Sequence, residues 1–387
     1  MNGLPPMENC SPKPLTDGDP PMGLPKKTLW PLEPHTRGKH LVLKSYLDAW
    51  LPIMGTRNAR ILVIDGFAGP GEYEGGEWGS PLIALNALKN HIAQSKLKAE
   101  VLFHFIEKDA DRAAHLQSLI SAQKELPKKC KINIVNAAFD DTLTSVLDAV
   151  EEQKKRLAPA FVMIDPFGVS DTPMEVVRRV LRNPHCEVYV SFMYEYINRF
   201  KSTDEFSQHL DRLFGTDKWR NGMNIEDTEA RKDFYFGLYK GQLRAAGGKH
   251  VVHFELYEGN RLIYAIFFGT QHPLGADRMK QAIWKVAPFG DFAFRGTHSN
   301  QLTLGIAAPD FGPLRAALRG EFNKQGWVTI EEVSEFVASD RTDFHTGQLR
   351  KGALIPMEES GEIEVKESTR KRKKSFPGGT LLRFLKW

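Results

Sequence analysis

The feature that most constrains this chain is a series of short apolar runs, each leading into a segment whose apolar residues have helical spacing. The runs occupy residues 60–65, 101–107, 131–136, 161–165 and 188–192. Strands that alternate with helices form right-handed strand–helix–strand units and a parallel sheet covered on both faces. We therefore predict an α/β fold with a Rossmann-like sheet.

Two segments frame this pattern. A helix is predicted over His40–Trp50, ending before Pro52, because its apolar residues recur at helical spacing and proline disfavours continuation. Further along, two apolar runs at 250–257 and 261–269 flank the turn residues 258–260, where Gly259 and Asn260 suit positive φ. This pattern predicts an antiparallel hairpin that closes the parallel sheet.

Length and composition divide the chain further. With 387 residues and 41% hydrophobic residues, it can form one large core and a smaller one. Residues 1–27 contain seven prolines and little apolar periodicity, which predicts a disordered tail. We assign 28–308 to the α/β domain, with a polar helical insertion at 200–247, and 309–387 to a second domain.

Several classes of protein are excluded by the composition. The sequence has no stretch of eighteen apolar residues and no secretory signal, so we expect a cytoplasmic protein. The cysteines Cys10, Cys130 and Cys186 are far apart and form no CxxC pair. This spacing argues against a metal site, an iron–sulfur cluster and a disulfide framework. We interpret Cys130 and Cys186 as structural thiols.

The C-terminal domain has its own pattern. After a linker at 309–313, helices are predicted over 314–325 and 330–338, the second with a capping box formed by Thr329 and Glu332. A third helix passes through His345, Leu349 and Leu354 and is interrupted near Pro356; two short strands then follow, at 362–365 and 380–385. Three helices followed by a two-stranded ribbon are in winged-helix order.

The ribbon holds a strongly basic loop, the wing, with five successive cations: Arg370, Lys371, Arg372, Lys373 and Lys374. Residues 311–387 contain 14 basic and 11 acidic side chains, so this domain carries most of the net charge of +4. Such a loop suits a phosphate backbone. A solvated charge run or a protein-binding patch is the alternative.

The strongest motif follows the first strand, in residues 64–71. Gly69 and Gly71 lack a β-carbon, so the backbone can turn sharply and approach a bound nucleoside. The spacing of Asp65, Phe67, Gly69 and Gly71 is similar to the first motif of nucleic-acid base methyltransferases and differs from the GxGxxG of NAD enzymes. These four residues are candidate cofactor contacts; an ordinary strand-to-helix turn is the alternative.

Acidic and aromatic residues follow the next two strands. Glu107 ends the second strand, where a carboxylate can accept hydrogen bonds from both ribose hydroxyls, and Asp109 is nearby. A carboxylate there can also be only a helix cap. After the third strand, Asn136, Phe139 and Asp140 stand where an adenine ring would be contacted.

The fourth strand ends in Asp165, Pro166 and Phe167, the candidate catalytic residues. Asp165 could accept a hydrogen bond from an exocyclic amine while Phe167 stacks on the base. The pattern for adenine N6 transfer is Asp-Pro-Pro-Tyr, so the aromatic residue here is one position early. A proline-fixed turn with a structural acid is the alternative.

Two further groups are candidate substrate contacts. His35, Lys39 and His40, together with Arg37, precede the predicted first helix and could contact a carboxylate or a phosphate, or could simply form a polar helix start. Residues 76–81 could form a loop over the site in which Ser80 caps a helix. A plain connector is equally compatible with that sequence.

These segments together resemble the three-Cys-motif partner protein family, TcmP, from about Trp30 to the C-terminus. The resemblance rests on 34–40, on 65–73 with 79–85, and on 164–168, followed by the winged-helix pattern. It implies a class I methyltransferase sheet with the antiparallel closing hairpin, S-adenosylmethionine as cofactor, and a radical-SAM-like partner that bears the three cysteines. The first motif and the His35/His40 spacing are also similar to ribosomal-RNA adenine-N6 methyltransferases.

Three functions follow from this sequence as hypotheses. The first is an S-adenosylmethionine-dependent methyltransferase that acts on an RNA or DNA base and works with a three-Cys-motif partner. The second is a non-catalytic scaffold of the same fold that binds nucleic acid or the cofactor and recruits that partner. The third is a winged-helix regulator with a ligand-sensing domain.

Overall fold

A large twisted sheet forms the centre of the molecule. The computed structural model describes residues 27–169, 172–201, 204–288, 292–294 and 309–385, and within these ranges the sheet has eight strands. Their order is β3-β2-β1-β4-β5-β7-β6-β8. The strands are β1 Arg60–Asp65, β2 Glu100–Ile106, β3 Cys130–Val135, β4 Ala160–Ile164, β5 Glu187–Phe192, β6 His250–Glu258, β7 Arg261–Thr270 and β8 Ala293–Phe294.

The predicted parallel sheet with an antiparallel closing hairpin is confirmed. Strands β1 to β5 pair in parallel, and β7 pairs antiparallel with both β5 and β6. The turn between β6 and β7 differs in one detail, because Gly259 has a φ of 60° whereas Asn260 does not adopt positive φ. One left-handed residue is therefore enough for this turn, and glycine takes that conformation without a steric penalty.

Helices cover both faces of the sheet. On either side of it lie α1 Pro34–Arg57, α2 Ser80–Lys89, α3 Ala110–Ser121, α4 Phe139–Glu152, α5 Met174–Leu181 and α9 Pro273–Val286. The polar segment predicted as an insertion contains the end of α6 Tyr194–Phe200, followed by α7 Asp204–Phe214, a 3-10 helix Asp217–Asn224 and α8 Thr228–Ala245. Trp219, Tyr235 and Tyr239 are fully buried there, so this segment contributes to the core.

The first helix is longer than the sequence predicted. It begins at Pro34 and continues through Pro52 to Arg57, so the prediction of an end before Pro52 was wrong. Proline removes the N–H that would bond the carbonyl four residues earlier. That carbonyl, of Asp48, instead lies 2.8 Å from Nε2 of His91 in another segment. A tertiary hydrogen bond thus replaces the missing helical one.

The cysteines of the described residues are separate free thiols. Cys186 is buried and its thiol donates to the carbonyl of Ala158 at 3.5 Å, whereas Cys130 is partly buried in β3. Burial raises the pKa of Cys186 to about 12 and that of Cys130 to about 11. Both thiols are therefore protonated near neutral pH. Cys10 and the predicted tail up to residue 26 lie outside the described residues.

The C-terminal segment forms a smaller unit. Its helices and strands are α10 Gly312–Phe322, β9 Val328–Thr329, α11 Ile330–Ala338, α12 Thr346–Gln348, a π-helical turn Leu349–Leu354, α13 Ile355–Glu359, β10 Ile363–Val365 and β11 Leu381–Phe384. The strands form an antiparallel sheet in the order β10-β11-β9.

Some details of this unit match the sequence predictions and others do not. The capping box of Thr329 and Glu332 is present. His345 is the N-cap of α12, and helical residues run without interruption through the π-helical turn into α13, with the change from π to α pattern one residue before Pro356. The break predicted near Pro356 is therefore absent. The winged-helix assignment of the whole unit stays a prediction.

Helix α9 joins the two units. The ammonium of Lys280 is buried and donates to the carbonyls of Val337, Ser339 and Thr342 at 2.5, 2.6 and 3.0 Å. One turn earlier, the carboxylate of Asp277 accepts from the backbone N–H of Thr346 at 2.7 Å. Each buried polar group thus has a partner across the junction, as such groups require.

Within the described residues, no helix combines the length and the apolar character needed to cross a bilayer.

Candidate functional site

A cavity of about 360 Å³ opens where the carboxyl ends of β1 and β4 meet the start of α1. Open parallel sheets bind ligands at this edge. Many of the residues singled out from the sequence line it. These are His35, Lys39, His40, Phe67, Gly69, Gly71, Ser80, Asp165, Pro166 and Phe167, together with residues that the sequence did not single out for the site, among them Trp30, Glu33, Tyr73, Met193 and Tyr264.

The glycine loop after β1 has the backbone conformation that its sequence predicts. Gly69 and Gly71 have φ values of 62° and 89°, in the left-handed region that favours glycine. The backbone N–H of Gly79 donates to the carbonyl of Gly71 at 2.7 Å, which ties the loop to the start of α2. A β-carbon on Gly69 would meet only Trp30, at 3.7 Å, so its open side faces the cavity.

Glu107 holds this loop from the neighbouring strand. Its carboxylate is buried and accepts from the backbone N–H groups of Gly69 and Asp109, both at 2.8 Å. The helix cap is instead Asp109, whose carboxylate accepts from the N–H of Arg112 at 3.0 Å. The side-chain amide of Asn136 donates to the carbonyl of Glu107 at 3.0 Å. The two acids after β2 thus have different roles, and Glu107 is the one that belongs to the glycine loop.

Asp65 is a buried acid behind the loop. One carboxylate oxygen accepts from the N–H of Phe67 at 3.2 Å. Burial raises the pKa of Asp65 to about 7, and hydrogen bonding with Ser80 and Phe67 opposes that rise. Ser80 itself is the first residue of α2, and the N-cap position belongs to Gly79, so the prediction that Ser80 caps the helix was wrong.

An ion pair joins α1 to the end of β4. The ammonium of Lys39 donates to one carboxylate oxygen of Asp165, and the hydroxyl of Ser191 on β5 donates to the other. Burial by itself would raise the pKa of Asp165, but the charge and hydrogen bond of Lys39 and the hydrogen bond from Ser191 lower it below its usual range. Burial would likewise lower the pKa of Lys39, yet the charge of Asp165 raises it. Both groups are therefore charged at neutral pH.

The remaining polar residues of α1 differ in their surroundings. The segment 34–40 forms the first two turns of the helix, so its side chains are presented at helical spacing rather than on a preceding loop. His35 Nε2 lies 2.8 Å from a carboxylate oxygen of Glu33. His40 is buried beside Lys39, and burial together with that charge lowers its pKa to about 3, so it is neutral.

Aromatic residues close one side of the cavity. The rings of Trp30 and Phe167 meet edge to face at 5.6 Å, and the guanidinium of Arg112 lies 5.0 Å from the ring centre of Trp30 and 5.7 Å from that of Phe167. Trp30 also contacts the ring of Tyr73 at 5.8 Å. The backbone of Trp30 is fixed, since its carbonyl accepts from the N–H of Glu74 at 3.0 Å.

None of the three residues predicted near an adenine ring, Asn136, Phe139 and Asp140, lines this cavity, and the candidate cofactor contacts Asp65 and Glu107 lie behind the loop rather than in the lining. Phe139 is buried beneath the loop, with its ring 5.4 Å from that of Phe67. Asp140 forms an ion pair with Arg212 at 2.8 Å and lines a separate surface cleft. The sequence shows that Phe139 and Asp140 follow the third strand. Which way their side chains point depends on how α4 packs, which the sequence does not show.

The five cations of the wing are not equivalent. The side chain of Arg370 is buried and paired with Glu358 and Glu367 at 2.6 and 2.5 Å, and Lys374 pairs with Glu359. The other three are exposed, and among the described residues no ion pair forms at them: Lys371, Arg372 and Lys373. Of the five wing cations, these three are the ones without an ion-pair partner among the described residues.

Sequence reasoning did not assign several of the residues that build the site. Ser191 lies in the middle of an apolar strand. A polar residue at such a position was the one signal in the sequence that could have pointed to a role at the site. Trp30 stands just before the first helix, but nothing in its immediate sequence indicates that it covers Gly69. Arg112 lies in an amphipathic helix, where a buried arginine has no distinct pattern.

The strand order, the antiparallel β7 and the ligand cavity at the carboxyl edge define the class of fold: a Rossmann-like α/β domain of the class I methyltransferase type. No family model matches the sequence, and no curated protein matches it significantly.

Solved structures with distant similarity include protein LPL1258 from Legionella pneumophila, which is 12% identical over 66% of this chain and 91% of that protein, with a TM-score of 0.37. Human methyltransferase-like protein 13 in complex with SAH is 12% identical over 65% and 92% of the two chains, with a TM-score of 0.34. The putative methylase HI0767 from Haemophilus influenzae is 19% identical over 38% and 70%, with a TM-score of 0.23. The fold class rests on the strand order, because similarities of this size add no argument.

Proposed function

We propose that this protein is a S-adenosylmethionine-dependent methyltransferase that acts on a nucleic-acid base. The observation that carries the proposal is the glycine loop. Gly69 and Gly71 adopt positive φ beside the cavity, and the carboxylate of Glu107 from the neighbouring strand fixes the N–H of Gly69. A close backbone approach next to a strand-end acid suits a nucleoside.

The residues around the loop fit such a cofactor. Gly69 leaves an open side toward the cavity. Glu107 is buried behind the loop and outside the lining, but each of its oxygens keeps acceptor capacity beyond its one backbone partner, so ribose hydroxyls that reach past the loop would find an acceptor there. When bound, S-adenosylmethionine supplies an electrophilic methyl group. The protein would position the acceptor, and Asp165, Pro166 and Phe167 border the same cavity.

Asp165 is the proposed orienting acceptor for the substrate amine. Its carboxylate accepts from Lys39 and Ser191, so its charge and direction are fixed before a substrate arrives. A fixed anion can hold an amine hydrogen and so aim the nitrogen lone pair at the methyl group. Phe167 would stack on the base, with Trp30 and Arg112 supporting its ring.

The C-terminal unit would hold the polymer. Its exposed cations Lys371, Arg372 and Lys373 suit phosphate groups. The likeness to the TcmP family in 34–40, 65–73 and 164–168 supports a three-Cys-motif protein as the partner. We include that partner, and the winged-helix identity of the unit, in the proposal.

The first experiment is a calorimetric titration of the full chain with S-adenosylmethionine and S-adenosylhomocysteine. We expect micromolar binding that is lost in Gly69→Val/Gly71→Val. Gly361→Val is the matched control, because Gly361 also has positive φ, at 75°, but lies in the C-terminal unit. A folded protein that binds neither ligand would contradict the cofactor proposal.

The catalytic proposal has its own test. Transfer of a labelled methyl group to RNA or DNA should be abolished in Asp165→Ala while cofactor binding stays nearly intact. Lys39→Met/Asp165→Asn is a second variant that leaves no buried unpaired charge. Turnover that survives in Asp165→Ala would remove Asp165 from its role, whereas the amide oxygen in the double variant could still accept the amine hydrogen.

The alternative is a non-catalytic scaffold, which one observation favours. A β-carbon on Gly69 would lie 3.7 Å from the ring of Trp30, so this ring lies on the side of the glycine from which a cofactor would approach. A scaffold would bind nucleic acid or the cofactor and would recruit the three-Cys-motif partner without methyl transfer. Cofactor binding without transfer to any polymer, in the presence of the partner, would favour this function.

A further inference from the structure

A second cavity lies at the opposite edge of the large sheet, beside the start of β5, the end of β7 and the first turn of α9. Its volume of about 350 Å³ is close to that of the first cavity. Both lie in the range of small-molecule sites, ~300–1,000 Å³. We propose that this second cavity binds a small organic phosphate with a planar, amine-bearing ring, such as a mononucleotide.

The walls suit a planar ring. They are apolar and come from the last turns of α1 and the first turn of α9: Trp50, Ile53, Met54 and Leu274. Aromatic and aliphatic walls with a few converging polar groups are typical of small-molecule sites.

The floor is a buried acid, Glu187. Its carboxyl oxygens accept from the hydroxyls of Tyr46 at 2.6 Å and Thr270 at 2.7 Å, so the group is held in a fixed direction. A carboxylate has about four acceptor positions, which leaves capacity for a ligand amine. Burial raises the pKa of Glu187 to about 7, and the hydrogen bonds from Tyr46 and Thr270 oppose that rise. An acid kept in such surroundings beside a cavity is a candidate ligand contact.

The backbone around the floor packs closely against it. Gly275 lets the first turn of α9 press against the floor, because a β-carbon there would lie 2.6 Å from the hydroxyl oxygen of Thr270 and would also meet Glu187. His185, just before β5, has a φ of 60°, which is uncommon for a residue with a side chain. Strained backbone of this kind concentrates at functional sites.

The rim is basic and suits a phosphate. It consists of Arg57, His185 and Arg278, and Glu187 is the single acidic side chain among the lining residues that the structure describes. His272 also lines the rim, but burial lowers its pKa and its Nδ1 accepts from the N–H of Leu274 at 3.1 Å, so it adds no positive charge. Arg57 is exposed, and Arg278 has Asp277 as a neighbour at 3.4 Å. A phosphate on the rim with its ring between the walls would bring a ring amine toward Glu187.

The test is a calorimetric titration of the full chain with adenosine 5′-monophosphate, with and without saturating S-adenosylhomocysteine. We expect binding in both conditions. Adenosine and inorganic phosphate, each lacking half of the recognised groups, should bind at least about tenfold more weakly. Competition by S-adenosylhomocysteine would place the nucleotide in the first cavity and overturn the proposal, as would adenosine binding as tightly as the nucleotide.

Variants locate the ligand. Arg57→Ala/Arg278→Ala should weaken nucleotide binding about tenfold or more, whereas Arg199→Ala should leave it unchanged, because Arg199 is exposed in α6, which follows the opposite end of β5. Leu274→Trp, which fills the cavity from a partly exposed position, should abolish it. Thermal unfolding reports whether each variant is folded. Wild-type affinity in the folded double arginine variant, or the absence of any binding at millimolar nucleotide, would overturn the assignment. The titration without S-adenosylhomocysteine keeps this result separate from the proposed methyltransferase function.

Discussion

The ammonium of Lys39 and the carboxylate of Asp165 form a buried ion pair between the first helix and the end of β4. The Lys39 side chain is 7% exposed and that of Asp165 is 23% exposed. Removing one partner of a buried pair leaves an uncompensated charge and costs ~3–5 kcal/mol, whereas replacing both can be nearly neutral.

We therefore expect Lys39→Met to reduce the free energy of unfolding by a few kcal/mol, toward the lower end of that ~3–5 kcal/mol range because Asp165 is partly solvated. Lys39→Met/Asp165→Asn should be more stable than either single variant. Urea unfolding of the four proteins gives the coupling energy. Additive effects of the two substitutions would mean that the pair contributes no specific interaction.

The acid Glu187 should make stability depend on pH. Its pKa is raised from 4.5 to about 7 in the folded protein, so between these pH values the folded state binds more protons than the unfolded state. Stability contributed by the protonated group is then present below pH 4.5 and is lost as the pH rises toward about 7. The change is about 3 kcal/mol, since one pKa unit corresponds to about 1.4 kcal/mol.

Glu187→Gln should remove that pH dependence. The free energy of unfolding of the variant, relative to that of the wild type, should therefore be higher at pH 8 than at pH 5. The exposed Glu152→Gln is the control and should follow the wild type at both pH values. Chemical unfolding across this pH range is the measurement. An unchanged pH profile in Glu187→Gln would show that Glu187 titrates normally.

Two glycines in helices should respond oppositely to alanine. Gly275→Ala would place a methyl group against Thr270 and Glu187, and overpacking of this kind costs ~1–3 kcal/mol. Gly320→Ala in α10 meets nothing within 4 Å, so the higher helix propensity of alanine should stabilise by ~0.5–1 kcal/mol. Thermal unfolding of both variants is the measurement. Equal changes in the unfolding temperature would contradict the close packing at Gly275.

Lys280 should hold the C-terminal unit against α9. Lys280→Met leaves the carbonyls of Val337, Ser339 and Thr342 without this donor, and hydrogen bonds to a charged group contribute ~1.5–3 kcal/mol each at most. We expect faster amide hydrogen exchange in α11 with little change in β1. Lys285→Met, at an exposed position of the same helix, should exchange like the wild type. Equal protection of α11 in both variants would contradict the role of Lys280.

The wing should make nucleic-acid binding depend on salt through three cations rather than five. If Lys371, Arg372 and Lys373 each neutralise a phosphate, replacing all three with alanine should reduce the slope of log affinity against log salt by about 3, at about 0.9 for each contact. Lys374→Ala should change the slope little because Lys374 pairs with Glu359. A filter-binding titration over a range of salt concentrations is the measurement. An unchanged slope in the triple variant would remove the wing from the interface.

Much of the fold could be predicted from the sequence because its signals are local. Alternating strand and helix patterns gave β1 to β5, and the turn at Gly259 indicated the hairpin. The end of α1 could not be predicted, since Pro52 is tolerated only through the contact between Asp48 and His91, which are 43 positions apart. Rules based on neighbouring residues do not account for a tertiary hydrogen bond of this kind.

The candidate site likewise has parts that could be predicted from the sequence and parts that could not. The glycine loop and Glu107 were identifiable because strand ends place them on one edge of the sheet. The state of Asp165 was not, because it depends on Lys39 from α1 and Ser191 from β5, far away in sequence. The burial of Arg370 could not be predicted either, because the five successive cations do not differ in sequence. Only the fold brings Glu358 and Glu367 beside Arg370.

The position of Trp30 has a practical consequence. Its indole lies against Gly69 and beside Phe167 and Arg112, so a molecule that settles on the glycine loop must touch this ring or move it. The ring is thus a natural fluorescent reporter within the site, and Trp30→Phe would separate its emission from that of the other six tryptophans of the chain. The kinetics of loading could then be followed without attaching a dye.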